Sequence, residues 1–281
     1  MFDQIRNLIS GAVPQAPAPP EQDRLVEWMQ QSRTRWTNLI AELPSGTGPR
    51  MPHGRYSFAY EIVGERKPIT LAQLPELLRA SVVRHTGWPP FWLPTRAGIA
   101  PYALNDAVEC WIGGDTQASP EERDAAHADF WRISPAGYAY LIRGYQEDAL
   151  GDRQGGPTYG PGVAFDLTLP VWRVGEALLH AESLAVNLFE EGSTVKFAAI
   201  YEGLAGRLLV SVNGRRTLFE ERSSRQDAIS LSTHVSASSI SANLPEIVQP
   251  LLEPLYALFD FFALPAFLVT EELGRMRSGE H

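Results

Sequence analysis

Near Gly192 the hydrophobic repeat of this chain changes period, and that change limits the available folds more than any other feature. Before it, Val171, Val174, Leu178, Ala181 and Leu188 recur at helical steps, which predicts a long amphipathic helix over Val171 to Phe189. After it, Val195, Phe197, Ala199 and Tyr201 alternate, as in a strand with one buried face. A Gly203–Gly206 turn leads to Arg207–Val212, the hairpin signal Asn213-Gly214 leads to Thr217–Glu220, and Ile229, Leu231, Thr233 and Val235 alternate again. The expectation is a C-terminal four-strand antiparallel meander whose outer face carries Ser230, Ser232, His234 and Ser236.

The rest of the chain fits an α+β class, with antiparallel sheet packed by long amphipathic helices. Leu25, Trp28, Met29, Trp36, Leu39 and Ile40 mark a helix within Glu21 to Leu43, stopped by Pro44-Ser45-Gly46. Tyr56 to Val63 reads as a strand, and Thr70 to Val83 as a helix with Thr70 as its N-cap. His85 to Pro101 holds four prolines and reads as an ordered, irregular loop. Ala107 to Ile112 is a strand with Val108, Cys110 and Ile112 on one face and Glu109 and Trp111 on the other, and Tyr138 to Glu147 is apolar on both faces. Helical pattern returns over Asn243 to Phe262 and Pro265 to Met276. Residues 1–20 are expected to form a short helix and a proline-rich linker, and residues 21–281 a single domain, with 151–162 as the place where a division would fall.

Charge and cysteine content narrow the function classes. The formal charge of -9 disfavours a phosphate backbone unless Arg207, Arg215, Arg216, Arg222 and Arg225 gather on one face. A single cysteine, Cys110, excludes an intramolecular disulfide and a multi-cysteine zinc module, which fits a cytoplasmic protein. Asp3, Arg6 and Asn7 interrupt any secretion signal, and Glu253, Asp260 and two prolines break the longest apolar stretch, Leu251 to Val269, so no membrane segment is expected. Phe2, Ile5, Leu8 and Ile9 make residues 1–10 a candidate helix for a protein partner.

Aromatic density marks the candidate site. Trp88, Trp92, Trp111 and Trp172, with Arg143, Arg173, Glu176 and His180, are expected to line a pocket for a small anionic or planar ligand. Arg143 lies in an apolar strand and needs a carboxylate or bound anion, with Glu109, Glu147, Asp166 and Glu176 as candidates. Glu176 and His180 share a helix face, but no second histidine-rich element completes a metal shell, and no motif specifies a cofactor. Walker, Gly-x-Ser-x-Gly and His-Glu-x-x-His patterns are absent from the sequence. The leading expectation is a non-catalytic ligand-sensing or protein-interaction module, regulatory or in bacterial defence. The alternatives are a hydrolase or nuclease using Glu109, Glu147, Glu176 or His180, and a nucleic-acid-binding protein.

Several blocks carry a resemblance: His85-Thr86-Gly87-Trp88-Pro89-Pro90-Phe91, Asp129-Phe130-Trp131-Arg132-Ile133-Ser134-Pro135, Arg143-Gly144-Tyr145-Gln146-Glu147-Asp148, and Asp166-Leu167-Thr168-Leu169-Pro170-Val171-Trp172-Arg173. Together they resemble the uncharacterised C-terminal region of bacterial Schlafen-type AlbA-domain proteins, often labelled ATP-binding proteins or transcriptional regulators. The resemblance spans roughly residues 50–277 and implies a companion module that senses a ligand or partner. Here a short helix and a proline linker stand where those proteins carry the AlbA domain, so the resemblance transfers neither DNA binding nor catalytic residues.

Overall fold

The computed structural model describes residues 23–114, 124–149, 159–212, 216–261 and 263–280. Its centre is a seven-stranded, fully antiparallel sheet in the order β2-β3-β4-β5-β1-β7-β9. The strands are β1 (Arg55–Val63), β2 (Tyr102–Leu104), β3 (Ala107–Trp111), β4 (Phe130–Ile133), β5 (Tyr138–Gly144), β7 (Thr194–Glu202) and β9 (Ala228–Ser236). Two further strands, β6 (Ala164–Asp166) and β8 (Leu208–Val210), pair in parallel as a separate ribbon. Strands from both sides of residues 151–162 share the main ladder. The residue 1–10 partner helix, the proline linker, most of the Gly151–Gly162 loop and Asn213-Gly214 lie outside the described residues.

Alternation sorts the side chains into two layers. Phe58, Tyr60, Val108, Cys110, Trp131, Leu141 and Phe197 face one side, where α2 (Leu74–Ala80), α3 (Leu169–Leu188), α4 (Leu244–Ala257) and α5 (Ala266–Ser278) complete the main core. Ala59, Trp111, Phe130, Tyr140 and Ile142 face the other, covered by α1 (Arg24–Ile40) through Leu25, Trp28, Trp36 and Ile40. Asp23 caps α1 by accepting the Leu25 amide at 3.0 Å, and the guanidinium groups of Arg132 and Arg55 lie over Trp28 and Trp36. Helix α3 is buried on nearly all sides, and the Asp166 carboxylate satisfies its first amides, at Thr168 and Leu169. No helix among the described residues is long and apolar enough to cross a membrane.

The structure departs from the sequence expectation at three places. The four-strand meander does not form: β7 and β9 pair directly, from Glu202↔Ala228 to Thr194↔Ser236, and β8 leaves for β6. Both ends of β8 are tied away from the main sheet, since Arg207 is locked to Asp148 and the Val212 amide donates to Asp166 Oδ2. Thr217–Glu220 is not a strand, and Phe219 stands in solvent. Helix α2 starts at Leu74 rather than Thr70, because Pro75 sets its first turn and the Gln73 side chain accepts both the Thr70 amide and hydroxyl. Two helices form where the pattern places them, but α4 ends at Ala257 rather than Phe262, Asp260 turns with φ 55°, and α5 starts at Ala266.

Gly144, the last residue of β5, permits a close crossing that the site depends on. A Cβ there would sit 2.6 Å from both Cβ and the carbonyl oxygen of Ala125, which begins the short turn Ala125–His127. Gly144→Ala is therefore expected to destabilise the fold by about 1–3 kcal/mol, read as a lower urea midpoint at unchanged m-value. An unaltered midpoint would show that this turn gives way freely.

Candidate ligand-binding site

Arginine buried on the sheet must find acceptors, and Arg143 on β5 finds four. Its Nε donates to Asp129 Oδ1 at 2.7 Å and Nη2 to Asp129 Oδ2, while Nη1 and Nη2 reach the carbonyls of Trp88 and Pro89 at 3.1 and 3.0 Å. The partner is thus Asp129, not Glu109, Glu147, Asp166 or Glu176. Burial pulls the Arg143 pKa down, but the Asp129 carboxylate outweighs it and the net shift is upward.

Arg173, half-buried one turn into α3, is treated differently. Its Nη1 donates to the Trp88 carbonyl at 2.7 Å and Thr86 Oγ1 at 3.0 Å, and Nη2 to Gln146 Oε1 at 3.1 Å. It makes no ion pair among the described residues, whereas the deeply buried Arg132, Arg143 and Arg207 hold Glu109, Asp129 and Asp148. Burial, with the Arg143 charge nearby, lowers its pKa.

Both guanidinium groups therefore grip the loop that follows α2. Glu176 fastens the start of that loop, accepting the His85 and Thr86 amides at 2.6 and 2.9 Å and the Thr86 hydroxyl at 2.6 Å. Trp88 donates its indole N–H to Asp129 and lies 4.5 Å from the Trp92 ring, and the Trp92 carbonyl accepts the indole of Trp131. Phe91, at φ 54°, stacks on His180, whose Nδ1 is 2.8 Å from the Tyr60 hydroxyl. Burial drives the His180 pKa down to about 3, so the ring is neutral.

Six of the eight expected site residues thus meet around the loop: Trp88, Trp92, Arg143, Arg173, Glu176 and His180. Trp111 does not, because it projects from the opposite face of β3 toward Phe130. Trp172 also turns away, donating to Glu272 of α5 at 3.1 Å. Glu176 and His180 are engaged with different partners, and among the described residues no group of three or more His, Cys, Asp or Glu is placed to hold a metal ion.

Beside the two arginines lies a narrow cleft with a cavity volume of about 20 Å³, room for one water-sized group. Tyr56, Gln146, Glu147 and Tyr201 supply its other polar groups, and Tyr145, Phe165, Leu169 and Pro170 its apolar walls. The Tyr201 hydroxyl is buried without a hydrogen-bond partner among the described residues. Burial first, and the neighbouring Asp166 carboxylate second, raise the Glu147 pKa to about 7. The sequence marks Glu147 as a candidate but gives Tyr56, Gln146 and Tyr201 no role in a site. The one signal for Tyr201 was its inward position in an alternating strand.

The alternative sites are dispersed. Glu109 lies on the α1 side, held by Arg35 and Tyr102, far from a shared constellation with Glu147, Glu176 and His180. Arg207 is buried against Asp148, and Arg216, Arg222 and Arg225 pair with Glu271 and Glu272, Glu220 and Asp260. Arg215 lies outside the described residues. Cys110 is buried, its Sγ 3.1 Å from the Ile99 carbonyl, and burial raises its pKa well above the usual thiol value. Comparison of the chain with protein-family models, curated proteins and solved structures finds no match.

Proposed function

We propose that the chain is a non-catalytic ligand-sensing module whose narrow cleft receives one oxygen of a small oxyanion of the carboxylate or phosphate type. The observation that carries this reading is the pairing, in one cleft, of a guanidinium without a carboxylate partner and a buried tyrosine hydroxyl without a hydrogen-bond partner among the described residues. An oxyanion between them supplies the counter-charge that Arg173 lacks and the acceptor that Tyr201 lacks. Because Arg173 also holds the Trp88 carbonyl and the Thr86 hydroxyl, a ligand that recruits it alters the tension on the 85–92 loop, which carries the half-buried Trp88 and Trp92. Binding would then be read at that loop.

Titration with sulfate or acetate, followed by calorimetry and thermal shift, tests this directly. Arg173→Met is expected to weaken binding by about 10–100-fold, the loss of charge-assisted hydrogen bonds worth about 1.5–3 kcal/mol. Tyr201→Phe should weaken it less. Equal binding by wild type and both variants, or no binding of either anion, overturns the proposal.

The cleft also sets a pH dependence. Glu147 is uncharged below its pKa of about 7 and becomes a competing anion above it. Sulfate, whose own charge is constant in this range, should bind severalfold more weakly above that pH. Glu147→Gln should remove the dependence, and a pH profile identical in that variant would remove Glu147 from the site.

A further inference from the structure

The seven-stranded sheet ends in two unlike edges. One is β2, only three residues long; the other is β9, nine residues from Ala228 to Ser236. An edge strand presents a row of unpaired N–H and C=O groups, and natural sheets guard long edges with lysine, proline, bulges or a covering segment. Ala228–Ser236 has none of the first three: it contains no proline and no charged residue, and it pairs with β7 residue for residue without a bulge. Among the described residues, no backbone hydrogen bond leads from Ile229 to Val235 to any segment beyond the β7 ladder. Side chains along β9 alternate, with Ser230, Ser232 and His234 in solvent and Ile229, Leu231, Thr233 and Val235 turned inward, Leu231 buried.

We propose that this edge pairs with the β9 edge of a second copy of the chain, antiparallel and two-fold symmetric, with Ser232 on the axis. Two features select a second copy as the occupant. The first is charge: copies with a formal charge of -9 repel over most approaches, and β9 offers a strip without Asp, Glu, Lys or Arg. The second is register. A two-fold axis through Ser232, the midpoint of the strand, pairs all nine residues and keeps each face continuous across the join. On the open face it sets Ser230 against His234 and Ser232 against Ser232. On the helix-covered face it sets Ile229 against Val235 and Leu231 against Thr233, apolar and β-branched groups that favour cross-strand contact. The result is one sheet of doubled width, with the α2–α5 layers of the two copies on one side and their α1 helices on the other.

Light scattering on the full chain across a concentration series is the first measurement, with a mass of twice 31.1 kDa expected. Ser232→Lys puts two ammonium groups face to face at the axis on an exposed position, so it should give a monomer with secondary structure and melting behaviour kept. Ser232→Cys provides an independent readout, because Cys110 is buried and the two introduced thiols lie opposite each other. Treatment with copper phenanthroline as oxidant should link Ser232→Cys chains into covalent dimers, two thiols losing two protons and two electrons to form one disulfide. Ser230→Cys, which faces His234 rather than itself, should link far more slowly. A wild-type monomer at all concentrations, a dimer that survives Ser232→Lys, or equal cross-linking at both positions overturns the proposal.

Discussion

Arg207→Met is expected to destabilise the protein by about 3–5 kcal/mol, because it removes one partner of a buried ion pair and leaves the other uncompensated. Arg207 is fully buried, and its guanidinium donates to both Asp148 oxygens at 2.8 and 2.7 Å and to the carbonyls of Gly203, Ala164 and His53. It also lies 4.4 Å from the Tyr145 ring centroid. One side chain thus ties together the approach to β1, the turn after β5, strand β6 and the turn after β7. Its loss strands three carbonyls as well as a carboxylate. For a chain of this size the melting temperature should fall by roughly 6–20 °C. Adding Asp148→Asn should recover part of the loss, since it removes the unpaired charge but not the orphaned carbonyls. Arg225→Ala provides the contrast: Arg225 and its partner Asp260 are both exposed, and a surface pair is worth about 0–1 kcal/mol. Equal losses in Arg207→Met and Arg225→Ala would show that burial does not govern these ion pairs.

The clamp explains why the C-terminal meander was misread from sequence while its flanking strands were legible. Val195 to Tyr201 and Ile229 to Val235 alternate because one face of each packs on α3 and α4, and burial imposes that pattern locally. Leu208–Val210 shows apolar character too, but its pairing partner is decided by Arg207 and Asp166, whose contacts lie 43 to 59 residues away in sequence. The same distinction separates the site residues. That Arg143 needed an anionic partner followed from its place in an apolar strand. That the partner is Asp129 follows only from register: Phe130 faces Ile142 across β4 and β5, so the next residues outward, Asp129 and Arg143, face each other. Trp111 could have been separated from the other indoles, since the alternation that put Cys110 in the main core put Trp111 on the opposite face. The convergence of Arg173 and Tyr201 was not legible, because no local pattern links a helix start to a strand end.

Acidification should unfold this protein through His180, and the direction follows from its surroundings. The ring is buried between Phe91 and Tyr60, and its folded-state pKa of about 3 lies below the ordinary 6.5. The stability it contributes is fully present above the unfolded value and is lost as pH falls toward the folded one, because only the unfolded chain takes up the proton. Each pH unit in that window is worth about 1.4 kcal/mol, so the loss reaches about 4–5 kcal/mol by the bottom of it. Glu147 acts in the opposite sense. Its folded pKa of about 7 exceeds the ordinary 4.5, so its contribution is present below the unfolded value and is lost as pH rises through the folded one. Between the two ordinary values the slopes oppose each other, and wild-type stability should be nearly flat there before falling steeply in more acidic solution. His180→Gln keeps a polar group for the Tyr60 hydroxyl and cannot titrate. Its stability deficit relative to wild type should therefore shrink by roughly 3 kcal/mol between pH 7 and pH 4, measured by urea unfolding at each pH. Glu147→Gln should instead turn the flat region into a rise with pH. A His180→Gln deficit that stays constant would mean that the imidazole accepts its proton in the folded state, and that the Phe91 loop does not seal it from water.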